Sequence, residues 1–253
     1  MRRDSLYWMS CFDCPAAGLE RGYIMVKDIL FDLDNTLFDF HADERAALKK
    51  TFRDLAFPLS DAVRARYSAI NESLWKALER GEISRSGVKK RRFYMLFEEF
   101  GFSLELADGA AERYLAYLAK DFHFMEGAKE LLHVLEKRYR LFLVSNGNLS
   151  VQEGRLTKAG IKRYFSGIFI SEVLGAEKPD RRFFDLAFAQ VADFDPARAV
   201  IVGDSLSSDI AGGINAGIRT IWLHPGEDEP QTDIRADYEI KKLKDLPDLL
   251  QKL

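Results

Sequence analysis

The stretch VKDILFDLDNTL, from Val26 to Leu37, decides the fold. Its first eight residues, to Leu33, form a mostly apolar run rich in β-formers, which predicts a buried strand. Two acids, Asp32 and Asp34, arrive where that run gives out. Four further runs have the same character: Leu141–Val144, Ile168–Ile170, Ala199–Val202 and Thr220–Leu223. Helical patterns separate them. Gly127–Tyr139 carries Leu131, Leu132, Val134 and Leu135; Ser150–Ala159 closes on Gly160; Asp180–Val191 opens on an acid; Ser207–Ala216 closes on Gly217. This alternation predicts an α/β fold, a Rossmann-like parallel sheet with helices on both faces.

One block breaks the alternation. Residues 41–123 contain no strand pattern, only helical stretches near 42–56, 60–79, 85–100 and 105–121, punctuated by Pro58, Gly81 and Gly101. They predict an all-helical domain inserted into a core made of residues 25–40 and 124–253. A polar loop, HPGEDEPQTD, a short strand at Tyr238–Ile240 and a closing helix ending in Leu249, Leu250 and Leu253 complete the core. Residues 1–24 read as a loosely ordered extension. They lack a clean apolar segment for secretion, and Met25 is a candidate for the biological start. Cys11 and Cys14 form a C-x-x-C, but no second Cys or His pair completes a zinc site.

Composition excludes several classes. With 253 residues, 47% hydrophobic and 30% charged, the chain can bury a sizeable core and is not a disordered polymer. A net charge of −3 gives no global field for nucleic acid or an anionic membrane, so an anionic ligand must be held locally. No apolar run is long enough to span a bilayer. Two cysteines fit a reducing compartment, hence a cytoplasmic expectation.

Polar residues cluster where the apolar strands stop: Asp32 and Asp34 after the first, Ser145 and Asn146 after the second, Asp204 after the fourth, and Asp209 a turn into the next helix. In a parallel sheet these ends share one edge, where ligands bind. At an effective dielectric of about 20, two like charges about 4 Å apart repel by roughly 4 kcal/mol. Four carboxylates in one crevice therefore call for protonation or a divalent cation, and a set of hard oxygens suits Mg²⁺. Lys178 adds a second positive charge. A lysine, a serine hydroxyl, backbone amides and Mg²⁺ together suit a phosphoryl group. The competing reading, that the acids only cap strands and helices, weighs most for Asp209 and least for Asp32 and Asp34, which no nearby base but Lys178 neutralises.

These residues resemble the haloacid dehalogenase-like hydrolase superfamily. Its four motifs occur in order: Asp32-Leu33-Asp34-Asn35-Thr36-Leu37, Ser145-Asn146-Gly147, Lys178-Pro179, and Gly203-Asp204-Ser205 with Asp209. The helical block falls where that superfamily inserts its cap. NESLWKALERGEIS at 71–84, SEVLGAEKPDRRFF at 171–184 and DYEIKKLKDL at 237–246 resemble its bacterial 5′-nucleotidases for noncanonical pyrimidine nucleotides. The resemblance implies Asp32 as nucleophile, Asp34 as general acid and base kept protonated at first by acidic neighbours, and Ser145 and Lys178 on the phosphoryl group. It implies Mg²⁺ at Asp32, Asp204, Asp209 and the Asp34 carbonyl, with Thr36 and Asn146 completing the phosphate cradle. The implied partner is a small phosphorylated substrate, with no nucleic acid polymer and no membrane, acted on by a monomer or homodimer.

For the leaving group, Trp75, Phe93, Tyr94, Asn71 and Arg92 are the candidate contacts, with cap-core packing the stronger reading for Phe93 and Tyr94. The basic run Arg85, Lys89, Lys90, Arg91 and Arg92 reads mostly as a solvated face, because it wraps round its helix. His41, His123, His133 and His224 are scattered and take no role. A haloacid dehalogenase would have no use for Asp34 or the Asp204/Asp209 pair. A sugar-phosphate or phosphoglycolate phosphatase, or a phosphosugar mutase, would share the core motifs. A non-catalytic binding protein would be expected to lose Asp32 or Lys178.

Overall fold

The computed structural model describes residues 25–226 and 232–253. The readings of residues 1–24, with Cys11 and Cys14, and of part of the 224–233 loop lie outside the described residues. Strand β1 (Asp28–Phe31) leads into four helices, α1 (Phe40–Asp54), α2 (Asp61–Glu79), α3 (Arg85–Phe100) and α4 (Ala107–Leu118). After α5 (Ala128–Leu135) and β2 (Arg140–Ser145) the chain runs through α6 (Leu149–Ala159), β3 (Gly167–Ile170), α7 (Ser171–Leu174), α8 (Arg181–Phe188) and β4 (Ala199–Gly203). Helix α9 (Ala211–Ala216), β5 (Arg219–Leu223), β6 (Tyr238–Ile240) and α10 (Leu246–Leu250) complete it.

All six strands are parallel, in the order β3-β2-β1-β4-β5-β6. Successive side chains alternate between two apolar layers. Ile29, Phe31, Leu141, Leu143, Val200 and Val202 pack on one face; Leu30, Phe142, Val144 and Ile201 pack on the other. Both faces are covered, which is why the strands read as continuous apolar runs. Helices α1–α4 pack round a cluster of their own that contains Phe52, Tyr67, Phe93, Phe97 and Tyr114.

Strand β1 is shorter than the expected Val26–Leu33, because its two neighbours pair only with residues 28–31. The Asp32 N–H still donates to the Val202 carbonyl at 2.9 Å, and then the chain folds back. Leu33 O accepts from both Leu37 and Phe38 at 2.9 Å, and Asn35 takes a left-handed φ of 59°, a conformation Asn tolerates. The expected Ser207–Ala216 helix is a π-helical turn, Leu206–Ile210, followed by α9. Both segments linking the insertion to the core pair with each other: Asp39 N–H donates to His123 O, and Met125 N–H to Leu37 O, each at 2.9 Å. The strand order reverses between β1 and β4, so the crevice lies beyond their carboxyl ends.

Candidate active site

Asp32, one residue past β1, faces Lys178 and the β4 acids. Lys178 is 1% exposed, and its ammonium donates to Asp32 Oδ1 at 2.7 Å, Asp209 Oδ1 at 2.6 Å and the Val144 carbonyl at 2.9 Å. Three N–H groups meet three acceptors, which is what a buried ammonium requires. Asp209 is buried, and its Oδ2 also accepts from the Ser205 backbone N–H at 3.1 Å. It is not the cap of its helical turn; Ser205 is, accepting from Ser208 N–H at 3.2 Å. Gly203 permits this arrangement, since a Cβ there would overlap the Asp209 carboxyl. Asp204 is oriented through its backbone, its carbonyl accepting from Trp222 Nε1 at 2.7 Å.

Asp32, Asp204 and Asp209 each offer an oxygen, and these oxygens lie within 4.8 Å of one another. The cluster carries three carboxylates and one ammonium. Burial pushes the Asp32 carboxyl from 3.8 to about 7 against the pull of Lys178, with Asp209 and Asp34 adding to the rise. Burial, then Asp209 and Asp32, holds Asp204 well above the carboxylate range. Burial pulls Lys178 down, but Asp209 and Asp32 outweigh it and keep it charged. An all-oxygen, electron-rich set with excess negative charge fits a hard divalent cation.

The sign of the pH dependence follows. The folded chain keeps the Asp32 proton to about pH 7, whereas the unfolded chain releases it near the ordinary 3.8. Stability from this group is present below the unfolded value and falls as pH rises through the folded one. A divalent cation held by these carboxylates would compete with that proton. The rise in Tm on adding Mg²⁺ to EDTA-treated protein should thus be larger at about pH 7.5 than at about pH 5. An equal rise at both, read by calorimetry, would contradict the shared carboxylate site.

Asp34 is held by two side chains of α6. Its Oδ1 accepts from Arg155 Nη1 at 2.5 Å and its Oδ2 from Gln152 Nε2 at 2.6 Å. The expectation that no base but Lys178 serves these acids is corrected: a fully buried arginine serves Asp34. The Ser145 hydroxyl accepts from Gly147 N–H at 3.0 Å and Gln152 Nε2 at 3.1 Å, which leaves its own proton to donate. Asn146, expected in a phosphate cradle, lines the crevice. Its amide clamps the Lys178 backbone, with Nδ2 on the carbonyl and Oδ1 on the N–H, both at 2.8 Å. Thr36, the other residue expected to contact substrate, is fully buried, with no hydrogen-bond partner for its hydroxyl, and is not among the residues that line the crevice.

A family model for haloacid dehalogenase-like hydrolases matches residues 26–217, from before β1 to beyond the β4 acids. The chain belongs to the haloacid dehalogenase-like hydrolase family. The pyrimidine 5′-nucleotidase PynA of Streptococcus pneumoniae is 40% identical over 229 residues, covering 89% of this chain and 95% of that one. The pyrimidine 5′-nucleotidase YjjG of Escherichia coli is 32% identical, covering 88% and 97%. The crystal structure of the HAD-hydrolase YfnB of Bacillus subtilis superposes with a TM-score of 0.85 at 34% identity, over 89% of this chain and 99% of that one. That structure is bound to magnesium and is described as revealing interdomain movement.

In this hydrolase the crevice opens into a cavity of about 730 Å³ between the sheet edge and the helical insertion. Trp75, Asn71, Glu44, Ser68 and Arg92 line its far side, as do Leu115 and Leu118. Phe93 is buried in the insertion's own core and Tyr94 faces outward, so neither reaches the cavity. The basic run is corrected: only Lys90 and Arg91 are exposed, while Arg85, Lys89 and Arg92 line the cavity. Arg85 crosses to the core, donating to the carbonyls of Asn146 at 2.6 Å and Gly147 at 3.0 Å, to Ser171 Oγ at 2.5 Å and to Glu177 at 3.2 Å. Glu79 makes a second crossing, accepting from Ser207 Oγ at 2.7 Å. Among the described residues no helix is long and apolar enough to cross a membrane.

Proposed function

We propose that this hydrolase is a Mg²⁺-dependent phosphomonoester hydrolase acting on pyrimidine nucleoside 5′-monophosphates. The observation that carries the chemistry is the meeting of Asp32, Lys178, Asp204 and Asp209 at the mouth of one cavity. The likeness to PynA and YjjG, over nearly the full length of each and including the insertion, supports the substrate class.

Asp32 attacks phosphorus, the ester P–O bond breaks, and Asp34 gives its proton to the departing oxygen. The product of that step is an aspartyl-phosphate on Asp32. Asp34, now ionised, takes a proton from water, which attacks phosphorus, and the P–O bond to Asp32 breaks to release phosphate. Lys178 neutralises charge between Asp32 and the phosphoryl oxygens, and the Ser145 hydroxyl donates to one of them. Asp32, Asp204, Asp209 and the Asp34 carbonyl would hold Mg²⁺, which when bound supplies positive charge against the phosphoryl oxygens. Residues 41–123 act as a cap that excludes water, and Trp75 offers the leaving group an aromatic face.

The test is phosphate release with Mg²⁺ across pyrimidine and purine monophosphates, sugar phosphates and phosphoglycolate. The expected result is a kcat/KM for pyrimidine nucleotides at least about tenfold above the rest, on the order of 1.4 kcal/mol of discrimination. A sugar phosphate ranking first would overturn the substrate class and leave the mechanism standing.

A further inference from the structure

Arg155 is the largest fully buried side chain among the described residues, at 0% exposure. Removing a guanidinium from water costs several kcal/mol unless its partners are well placed. Its partners are not those of a simple helix anchor. Nη1 donates to Asp34 Oδ1 at 2.5 Å and to Gln152 Oε1 at 2.9 Å, while Nη2 donates to Asp43 Oδ2 at 2.5 Å. The guanidinium carbon lies over the Phe38 ring, 4.9 Å from its centroid. Burial alone would pull Arg155 down, but Asp34 and Asp43 overcome it and keep it charged.

Asp43 sits in the first turn of α1, at 0% exposure, and does not line the cavity. Its second oxygen pairs with His123 Nδ1 at 2.7 Å. The two segments that join the insertion to the core therefore meet on one carboxylate, and Arg155 links that carboxylate to Asp34.

We propose that Arg155 is the positioning residue of the Asp34 acid and base, and that Asp43 ties this geometry to the helical insertion. The inference rests on the reading of Asp34 as the proton donor to the leaving oxygen. Gln152 holds the other Asp34 oxygen, so the carboxyl plane is fixed from both sides. A shift of α1 against the sheet moves Asp43, and the rigid fork of Arg155 passes that shift to Asp34. A merely structural anchor would lower the amount of folded enzyme equally for all substrates. A positioning residue makes the loss depend on how much the leaving oxygen needs a proton.

The test measures kcat/KM, which reports the step that expels the leaving group, with Mg²⁺ and a series of phenyl phosphates from heavily nitrated to unsubstituted. Wild type, Asp34→Asn, Arg155→Lys and Asp43→Asn are compared. Arg155→Lys keeps the charge but replaces the planar fork, whose Nη1 and Nη2 each reach one carboxylate, with a single ammonium nitrogen. Its expected loss is about 10- to 100-fold on phenyl phosphate and under about threefold on the dinitro ester, graded as for Asp34→Asn. A loss that is flat along the series overturns the proposal. If Asp34→Asn is graded and Arg155→Lys is not, only this inference falls; if Asp34→Asn is itself flat, the acid reading falls with it. Should Arg155→Lys fail to fold, Asp43→Asn decides: a graded loss of about 3- to 10-fold supports the link, and a flat or absent loss overturns it. None of these esters carries a base, so the result is independent of the pyrimidine reading.

Discussion

Asp32→Asn is expected to lower kcat by about 10⁴-fold or more on every phosphate ester, with folding intact. The amide matches the carboxylate in shape, and Oδ1 can still accept from Lys178, now 2.7 Å away. What it lacks is nucleophilicity: a neutral amide oxygen is too weak a nucleophile to displace the leaving group from phosphorus and form the acyl phosphate that water then hydrolyses. The substitution also removes one of the three carboxyl groups that crowd the crevice. The metal-free variant should therefore unfold at or above the wild-type temperature, since the carboxyl it replaces is one that burial pushes up to about 7. Steady-state phosphate release and a melting curve, both on the same preparation, check the two halves. Activity within tenfold of wild type would remove Asp32 from the nucleophile's place.

Lys178→Met should cost both catalysis and stability. Methionine approximates the volume of the stem but leaves Asp32 and Asp209 facing each other without the ammonium that now sits 2.7 and 2.6 Å from them. Breaking a buried pair by removing one partner costs about 3–5 kcal/mol. The loss should appear in EDTA near pH 7.5 by chemical denaturation and shrink near pH 5, where the Asp32 carboxyl holds its proton. In kcat/KM the expected loss is about 10²- to 10³-fold, the size seen when one preorganised donor to a transition state is removed. Stability unchanged in EDTA would mean that Lys178 is not the counter-ion of this cluster.

Much of the site was legible because it is local. Asp32, Asp34, Ser145, Asn146, Asp204 and Asp209 each lie at or just after the end of an apolar run, and a parallel sheet brings such ends together whatever the details of its helices. Gln152, Arg155, Asp43, Glu44 and Arg85 were not singled out for the roles the structure gives them. Four of them carry a signal that can be read afterwards. On α6 the buried stripe is Val151, Gln152, Arg155, Leu156 and Ala159, and on α1 it is Asp43, Glu44, Ala47, Leu48, Thr51 and Phe52. Charged and amide residues inside an otherwise apolar stripe must find buried partners; here Gln152, Arg155 and Asp43 find one another or Asp34, and Glu44 finds Asn71 and Ser68 on α2. Arg85 has no such mark. It opens α3 like any exposed basic residue, and only the approach of the insertion to the sheet edge puts carbonyls within its reach.

By itself, the sequence determined the parallel sheet, the place of the helical insertion and the edge at which the acids gather, because strand burial and chain direction follow from runs of a few residues. The tertiary structure alone decided the rest of the pairing between cations and acids: Lys178 meets Asp209 as well as the expected Asp32, and Arg155, not Lys178, meets Asp34 and also Asp43. Pairing between buried charges depends on distances of a few ångströms between elements far apart in the chain, and no local pattern encodes those distances.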